Sequence, residues 1–509
     1  MKRLTKITAI ILTLVMCVSL SAPAFAADND AYTITNPYAD INWETVGSYK
    51  TALHTHTNAS DGNDNLKASI QRHVEAGFDI VATTDHGTVN YDWGNENVNS
   101  LVYGVMSLLG RSEGELVYLG SEGTFDNGIS YTYGKAENGD DYLSLSTGKT
   151  VLRVPYGNEQ NALSANAHVN SWFADFTQNM LTTYVDAVRG VDKKGGVSVI
   201  NHPGEYTKAR YEIYASEAYN EDNATYNYYI NKFASLLDKY DSCIGIDMNS
   251  KGDGRTRWDR ILWDNLLTRF SANGENVYAI ASSDAHNLNV IDSGYVLALL
   301  EAQTSEELKA CLENGEFFAG SHCIGNPEEL RAIAAALKEF YGETELYNKV
   351  NSVVAEMDAR VAAIENGELD ADEDIGMEYD TRNENGYAVY TDPRITAIAV
   401  DDEENTITVT ATDALIIRWI SGGELIDTLK IDAGTATIDL DDYSAVLGDY
   451  VRAEVFGEGG IVYTQAFLLN AEAKAGTSKV VDDGFIDLGI LDCLFAIFKN
   501  WADILGRMF

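Results

Sequence analysis

The sequence predicts an α/β protein, a β-then-α barrel followed by a helical segment and a small all-β unit. Three observations carry that prediction. Short apolar runs at residues 52–57, 79–85, 115–122, 196–202, 243–249 and 277–284 read as strands buried on both faces. Helical stretches lie between them, for example 66–75 and 176–194, and such alternation places an active site at the strands' C-terminal ends. Beyond residue 395 the period changes to two, as in a sheet with one buried face.

Each segment follows in order. Residues 1–26 carry Lys2, Arg3 and Lys6, an apolar run over 7–20 and then Ala24-Phe25-Ala26, the pattern of a cleaved secretory signal. The mature chain is therefore expected outside the cytoplasm, secreted or in the cell envelope. Met16 before Cys17 is too large for a typical lipidation site. The barrel is expected over 48–325. Asn326-Pro327-Glu328-Glu329 is a helix start, and Leu346, Val350, Val353, Met357, Val361 and Ile364 recur at helical spacing, so 326–366 reads as a helical hairpin. Residues 365–384 hold nine acids and one arginine, which makes 367–390 a solvated linker. Residues 395–470 read as a small immunoglobulin-like β-sandwich. The last stretch, 485–509, is apolar but broken by Asp487, Asp492, Lys499, Asp503 and Arg507, hence an amphipathic helix that docks on the body or lies at a membrane interface.

Length and charge set limits. A chain of 509 residues, 45% hydrophobic, accommodates two or three domains. Removing the leader takes away three basic and no acidic residues, leaving 33 against 78 and a net charge of −45. So acidic a surface argues against duplex nucleic acid as a partner. Four cysteines remain, without C-x-x-C spacing; export permits a Cys311–Cys323 bridge without demanding one.

Six of the eight histidines fall into a constellation with three carboxylates: His54, His56, Asp61, His86, Glu122, His168, His202, Asp284 and His286. Imidazole and carboxylate hold divalent metals at neutral pH, and nine such groups suffice for three ions with bridging ligands. Asp85, beside His86, is expected to orient that imidazole or a neighbour. His73, inside a helix, and His322, after the last barrel strand, read as surface residues. No spaced G-x-S-x-G, no Walker-type loop and no complete EF-hand loop is present, which disfavours a serine hydrolase, an NTPase and a calcium sensor.

The motifs His54-Thr-His56 with Ser60-Asp61-Gly62, Thr84-Asp85-His86, Gly120-Ser-Glu122, Asn201-His202-Pro203-Gly204 and Ser283-Asp284-Ala285-His286, in that order, resemble those of the polymerase-and-histidinol-phosphatase (PHP) family over roughly residues 48–325. The resemblance implies a distorted (β/α)7 barrel, phosphoester hydrolysis and a trinuclear metal site. It assigns His54, His56, Glu122 and Asp284 to one ion, Glu122 as bridge with His168 and His202 to a second, and Asp61, His86 and His286 to a third. The metals would be Zn, Mn or Fe, the attacking group a metal-bound hydroxide, and no side-chain nucleophile is needed. Asp247 stands where the family more often has glutamate; it is read, with Asn249, as supporting the ligands from behind, direct ligation being the alternative.

Lys251, Arg255, Arg257 and Arg260 form the densest basic cluster, directly after the strand that ends at Asn249. Lys251, Arg255 and Arg257 are read as binding a small phosphorylated substrate; pairing with the abundant acids is the competing explanation. Two other functions stay open, a non-catalytic metal-bound adhesion protein of the cell envelope and a metal-dependent amidohydrolase.

Overall fold

The computed structural model describes residues 32–161, 168–178, 183–369, 377–491 and 494, a mixed α/β molecule with one large and three smaller sheets. The leader and most of the C-terminal segment lie outside the described residues.

Two sheets position the site. In the first, Gly47–Ala52, Ile80–Val81 and Thr150–Arg153 run parallel in that order. The second has the order Tyr278–Ala281, Cys243–Asn249, Val197–Ile200, Val169–Trp172, Asn158–Glu159, with the first three parallel and the last two joined antiparallel. Two isolated parallel bridges connect the sheets just past their strand ends, Thr55 to Ala285 and His86 to Glu159. Three of the four bridged residues lie in the histidine and carboxylate motifs, and the fourth is Glu159, so the backbone itself brings residues 54–56, 86, 159 and 284–286 together. Cys243–Asn249 is buried at every position, as a strand covered on both faces must be.

Local chemistry fixes the helices. Leu66–Glu75 starts where the Asn65 side chain accepts from the Ala68 N–H, and Ser69, Ile70 and Val74 face the core. Tyr184–Asp192 begins at a reciprocal Thr183–Asp186 capping box. It starts later than expected; the Phe176 carbonyl accepts from the Gln160 amide at 2.8 Å instead of from a helical N–H.

The expected strand at 115–122 is not formed. Gly120 adopts φ +67°, which breaks the run, and the chain enters an outer hairpin of Glu122–Thr124 with Ser130–Lys135. That turn carries Glu122 to an exposed position.

The second half is more closely joined to the first than composition suggests. Helices Pro327–Tyr341 and Glu345–Glu365 form the expected pair. In the acidic stretch, however, Tyr379–Asp380 pairs with Cys323–Ile324, and the Glu378 carboxylate accepts from the Gly254 N–H at 3.1 Å, so this part is packed and not a solvated linker. Gly460–Tyr463 pairs with Phe317–Ser321, which makes Tyr450–Gly457, Ile416–Ser421 and Glu424–Lys430 a continuation of the large sheet. A separate sheet of Arg394–Asp401, Thr406–Thr412 and Thr435–Asp439 lies over it, and Ile398, Ile407 and Val409 share one core with Ile417, Trp419 and Val455.

Two smaller expectations are corrected, and one open point is settled. His73 and His322 are both fully buried. His73 pairs with the Ser69 carbonyl at 2.8 Å, and His322 lies between Asp292 and Asp392 under the seam where the large sheet continues. Cys311 and Cys323 are free and buried, so no bridge joins them.

Candidate metal centre

His54 and His56 leave the strand Gly47–Ala52 on the same side, separated by Thr55, whose backbone is bridged to Ala285. That bridge places them against Asp284: His54 Nε2 lies 3.1 Å and His56 Nε2 3.0 Å from Asp284 Oδ1. Asp284 holds a left-handed backbone, φ +42°, unusual for a residue with a Cβ and typical of strain retained at functional positions. The neighbouring bond from His56 N–H to the Ala285 carbonyl, 2.9 Å, fixes it there.

Glu159 occupies the centre. His168 Nδ1 stands 2.7 Å from Oε1, His86 Nδ1 2.9 Å and His56 Nε2 3.2 Å from Oε2, and His202 Nε2 3.5 Å from Oε1. Asp61 closes the other side, 3.6 Å from His86 Nε2 and 3.4 Å from His286 Nε2. His202 Nε2 is also 3.4 Å from Asp284 Oδ2. The ligand atoms fall into three overlapping groups, His56/Asp61/His86/His286, His54/His56/Glu159/Asp284 and His86/Glu159/His168, each within 4.8 Å. Donors about 2.0–2.2 Å from a common ion stand roughly 3 Å apart, so these separations suit metal ligation.

The donor set fits divalent metals on a second ground. His56 Nε2, His86 Nδ1, His202 Nε2, Glu159 Oε2 and Asp284 Oδ1 are buried without a hydrogen-bond partner. Buried polar atoms are ordinarily satisfied, and here the orphans face one another. Shared cations would satisfy them together.

Glu159 takes the place expected for Glu122, which sits on the outer hairpin and in none of the three groups. Only a weak trace of Glu159 is in the sequence: the short run 150–154 ends five residues before it, whereas the other runs end at their ligands. The remaining eight expected ligands, His54, His56, Asp61, His86, His168, His202, Asp284 and His286, are brought together.

Neighbouring groups fix the rings. Thr84 Oγ1 meets His54 Nδ1 at 2.8 Å, and the Asp284 carbonyl meets His286 Nδ1 at 2.8 Å, leaving each Nε2 toward the centre. Asp85 accepts from the Thr57 N–H, the Thr57 hydroxyl and the Ser60 hydroxyl, shaping the turn that carries Asp61; Ser60 in turn reaches His56. Asn201, which sequence reasoning passed over, donates to Glu159 at 3.0 Å. Asn249 instead reaches the Cys323 carbonyl at 3.3 Å, and Asp247 pairs with Ser282, so both brace strand ends and neither joins the three groups.

Charge is unevenly distributed. Burial alone would raise the Glu159 carboxyl, but the charges of His168, His86 and His54 outweigh it and hold it well below the ordinary range. Asp284 is likewise held low against burial by Lys251, His54 and His286. For His86, burial is overcome by Glu159 and Asp61 and its pKa rises to about 9, whereas burial dominates at His168 and lowers it to about 4.

Asp247 behaves in the opposite way: burial pushes its carboxyl up to about 7. Between pH 4 and 7 the folded chain then retains a proton that the unfolded chain releases, so its stability declines as pH rises through that window and levels off above it. Asp247→Asn removes the ionisation. It is expected to gain about 2–4 kcal/mol over the native chain at pH 8 relative to pH 4, read from urea unfolding of the metal-free protein. Parallel pH profiles for the two chains would disprove this.

The basic cluster divides. Lys251 Nζ reaches Asp284 Oδ2 at 2.9 Å and Glu205 Oε2 at 2.9 Å. Arg255 is half exposed at the rim. Arg257, expected to overhang the site, is buried and donates to the Gly254 and Arg210 carbonyls. Arg260 is buried against Asp253 and Glu329. The tight turn after Asn249 aims Lys251 at the centre, leaves Arg255 at the rim and turns Arg257 and Arg260 into the body.

No protein-family profile matches the chain, and no curated protein matches it. Among solved structures it is similar to a two-domain protein containing a predicted PHP-like metal-dependent phosphoesterase from Bacteroides vulgatus, at 12% identity and a TM-score of 0.30 over 84% of this chain and 88% of that one.

Proposed function

We propose that the chain is a metal-dependent phosphoesterase, with the two sheets forming a distorted (β/α)7 barrel around a centre for up to three divalent ions. The observation that supports this most is the convergence of six imidazoles and three carboxylates with their buried atoms unsatisfied. His54, His56, Glu159 and Asp284 would hold one ion, Glu159 with His86, His168 and His202 a second, and Asp61, His86 and His286, with His56 beside them, a third. When bound, such ions lower the pKa of water and draw charge from phosphoryl oxygens.

The chain's own residues do the rest. Thr84, Asn201 and the Asp284 carbonyl orient the ligands, Asp85 holds the turn that presents Asp61, and Lys251 supplies a fixed positive charge beside Asp284 for an anionic substrate. The leader at residues 1–26 supports export, and the apolar tail supports a contact with the cell envelope. Its described start exposes Ile486, Ile490 and Leu491, and among the described residues no helix is long and apolar enough to cross a membrane.

A panel of phosphomonoesters, phosphodiesters and amides, presented to the mature chain reconstituted with Zn, Mn or Fe, tests this reading. Turnover of phosphoesters is the expected result. Turnover of amides alone would move the chain to the amidohydrolases, and no turnover at full metal occupancy would leave a binding or adhesion role.

A further inference from the structure

At the rim of the centre, three cations from two loops converge on one carboxylate. Glu205 lies on the short helix Gly204–Thr207, three residues after His202. Its Oε2 takes Lys251 Nζ at 2.9 Å, while its Oε1 has Arg210 Nη1 at 3.5 Å and Arg255 Nη1 at 3.7 Å. Oε1 is buried and makes no hydrogen bond. Two guanidinium groups and one ammonium thus face a single carboxylate whose Oε1 no hydrogen bond holds, and guanidinium groups pair best with two oxygens at hydrogen-bond distance.

The loops are built to keep this arrangement. Lys251 has φ +53°, and it is followed by Gly252 at +83° and Asp253 at +78°, three successive left-handed residues. Asp253 is pinned by Arg260 at 2.8 Å and by the Gly325 N–H at 2.6 Å. Arg257 donates to the carbonyl of Arg210 at 2.7 Å and so ties the loop of Arg210 to that of Arg255. Exposure of the side chains rises outward, from 11% at Glu205 through 19% at Lys251 and 26% at Arg210 to 49% at Arg255. The group is therefore a graded path from solvent to Asp284.

We propose that Lys251, Arg210 and Arg255 form an anion subsite beside the metal centre whose resting occupant is Glu205, and that the substrate is a phosphoester carrying a second anionic group, which displaces that carboxylate. The substrate class rests on the phosphoesterase reading above, whereas the subsite does not. A tetrahedral or carboxylate anion at this position can offer each arginine an oxygen at hydrogen-bond distance, which Glu205, fixed on its helix, does not.

Two measurements on the full metal-loaded chain test this. Sulfate binding, followed by calorimetry, should be at least tenfold tighter in Glu205→Gln, which removes the competing charge, and at least tenfold weaker in the Arg210→Ala/Arg255→Ala double variant. Two alkyl phosphates of equal length, one ending in hydroxyl and one in carboxylate, should differ at least tenfold in kcat/KM with the native chain. That ratio should fall below threefold in the double variant. Sulfate affinities within twofold across the three proteins would overturn the subsite, whatever the chain hydrolyses. Turnover of both esters without preference would overturn the substrate class. If neither ester is hydrolysed while sulfate follows the expected order, the subsite is supported and the phosphoesterase reading is the part that fails.

Discussion

Glu159→Gln is expected to strip the centre of metal and lower kcat by about a thousandfold or more, while Glu122→Gln changes neither. Glu159 is buried and lies within 3.7 Å of His54, His56, His86, His168 and His202. It is the only carboxylate shared by two of the three ligand groups among the described residues. The amide keeps its volume but removes the charge that the imidazoles surround, so two ions lose a ligand at once. Elemental analysis of purified protein reads the first effect, expected as two to three divalent ions in the native chain against one or none in the variant, and kcat on a phosphoester reads the second. Full metal content in Glu159→Gln would remove it from the centre. Loss of metal in Glu122→Gln would show that the exposed hairpin reaches the site after all.

The contrast between these two glutamates shows where sequence reasoning works. Strands and ligands obey one rule, an apolar run ending in a metal-binding side chain, and that rule locates His54, His56, His86, His202 and Asp284 because buried strands leave a strong composition signal. Glu122 satisfied the rule only on paper. A single glycine at φ +67° turns the chain out before the run can pair, and one backbone dihedral leaves little trace in composition. Glu159 was overlooked because its run, 150–154, is short and follows a hairpin rich in glycine, asparagine and tyrosine. The rim was partly legible: Lys251 was found by its charge, but Glu205 and Arg210 belong to a different loop, and only tertiary structure brings them to it. The acidic stretch misled for the same reason. Its charge suggests solvent, yet Glu378 is half-buried, with its pKa pushed up to about 8 by desolvation and then by Asp380 and Asp253, and it holds the turn that carries Lys251.

Arg452→Ala is expected to destabilise the chain by about 3–5 kcal/mol, because it would leave buried carboxylates without their cation. Arg452 is 2% exposed and forks onto Asp264, with Nε to Oδ1 at 2.8 Å and Nη2 to Oδ2 at 2.7 Å, while Nη1 meets Glu454 at 2.6 Å. Arg418 pairs with the same glutamate and with Glu329, and Arg260 links Glu329 to Asp253. Arg260 and Asp264 belong to the helix Asp259–Ser271 and Asp253 to the loop before it, beside the metal centre, whereas Arg418, Arg452 and Glu454 belong to the last sheet strands. A network of this kind is a poor net source of stability when intact, since desolvation offsets most of the attraction, but it is costly to break on one side. Removing Asp264 together with Arg452 should therefore cost less than the sum of the single changes, and a double-mutant cycle from denaturant unfolding measures that difference. A loss below about 1 kcal/mol for Arg452→Ala would mean that water reaches the vacated position and the network does not join that helix to the last strands. The far end of the same network decides how stability and recognition are related. Arg260 grips Asp253, two residues from Lys251, so Arg260→Ala should both destabilise the chain and raise KM for an anionic substrate, whereas Arg452→Ala should act on stability with KM unchanged. Equal effects of the two variants on KM would show that Lys251 keeps its place without the network behind it.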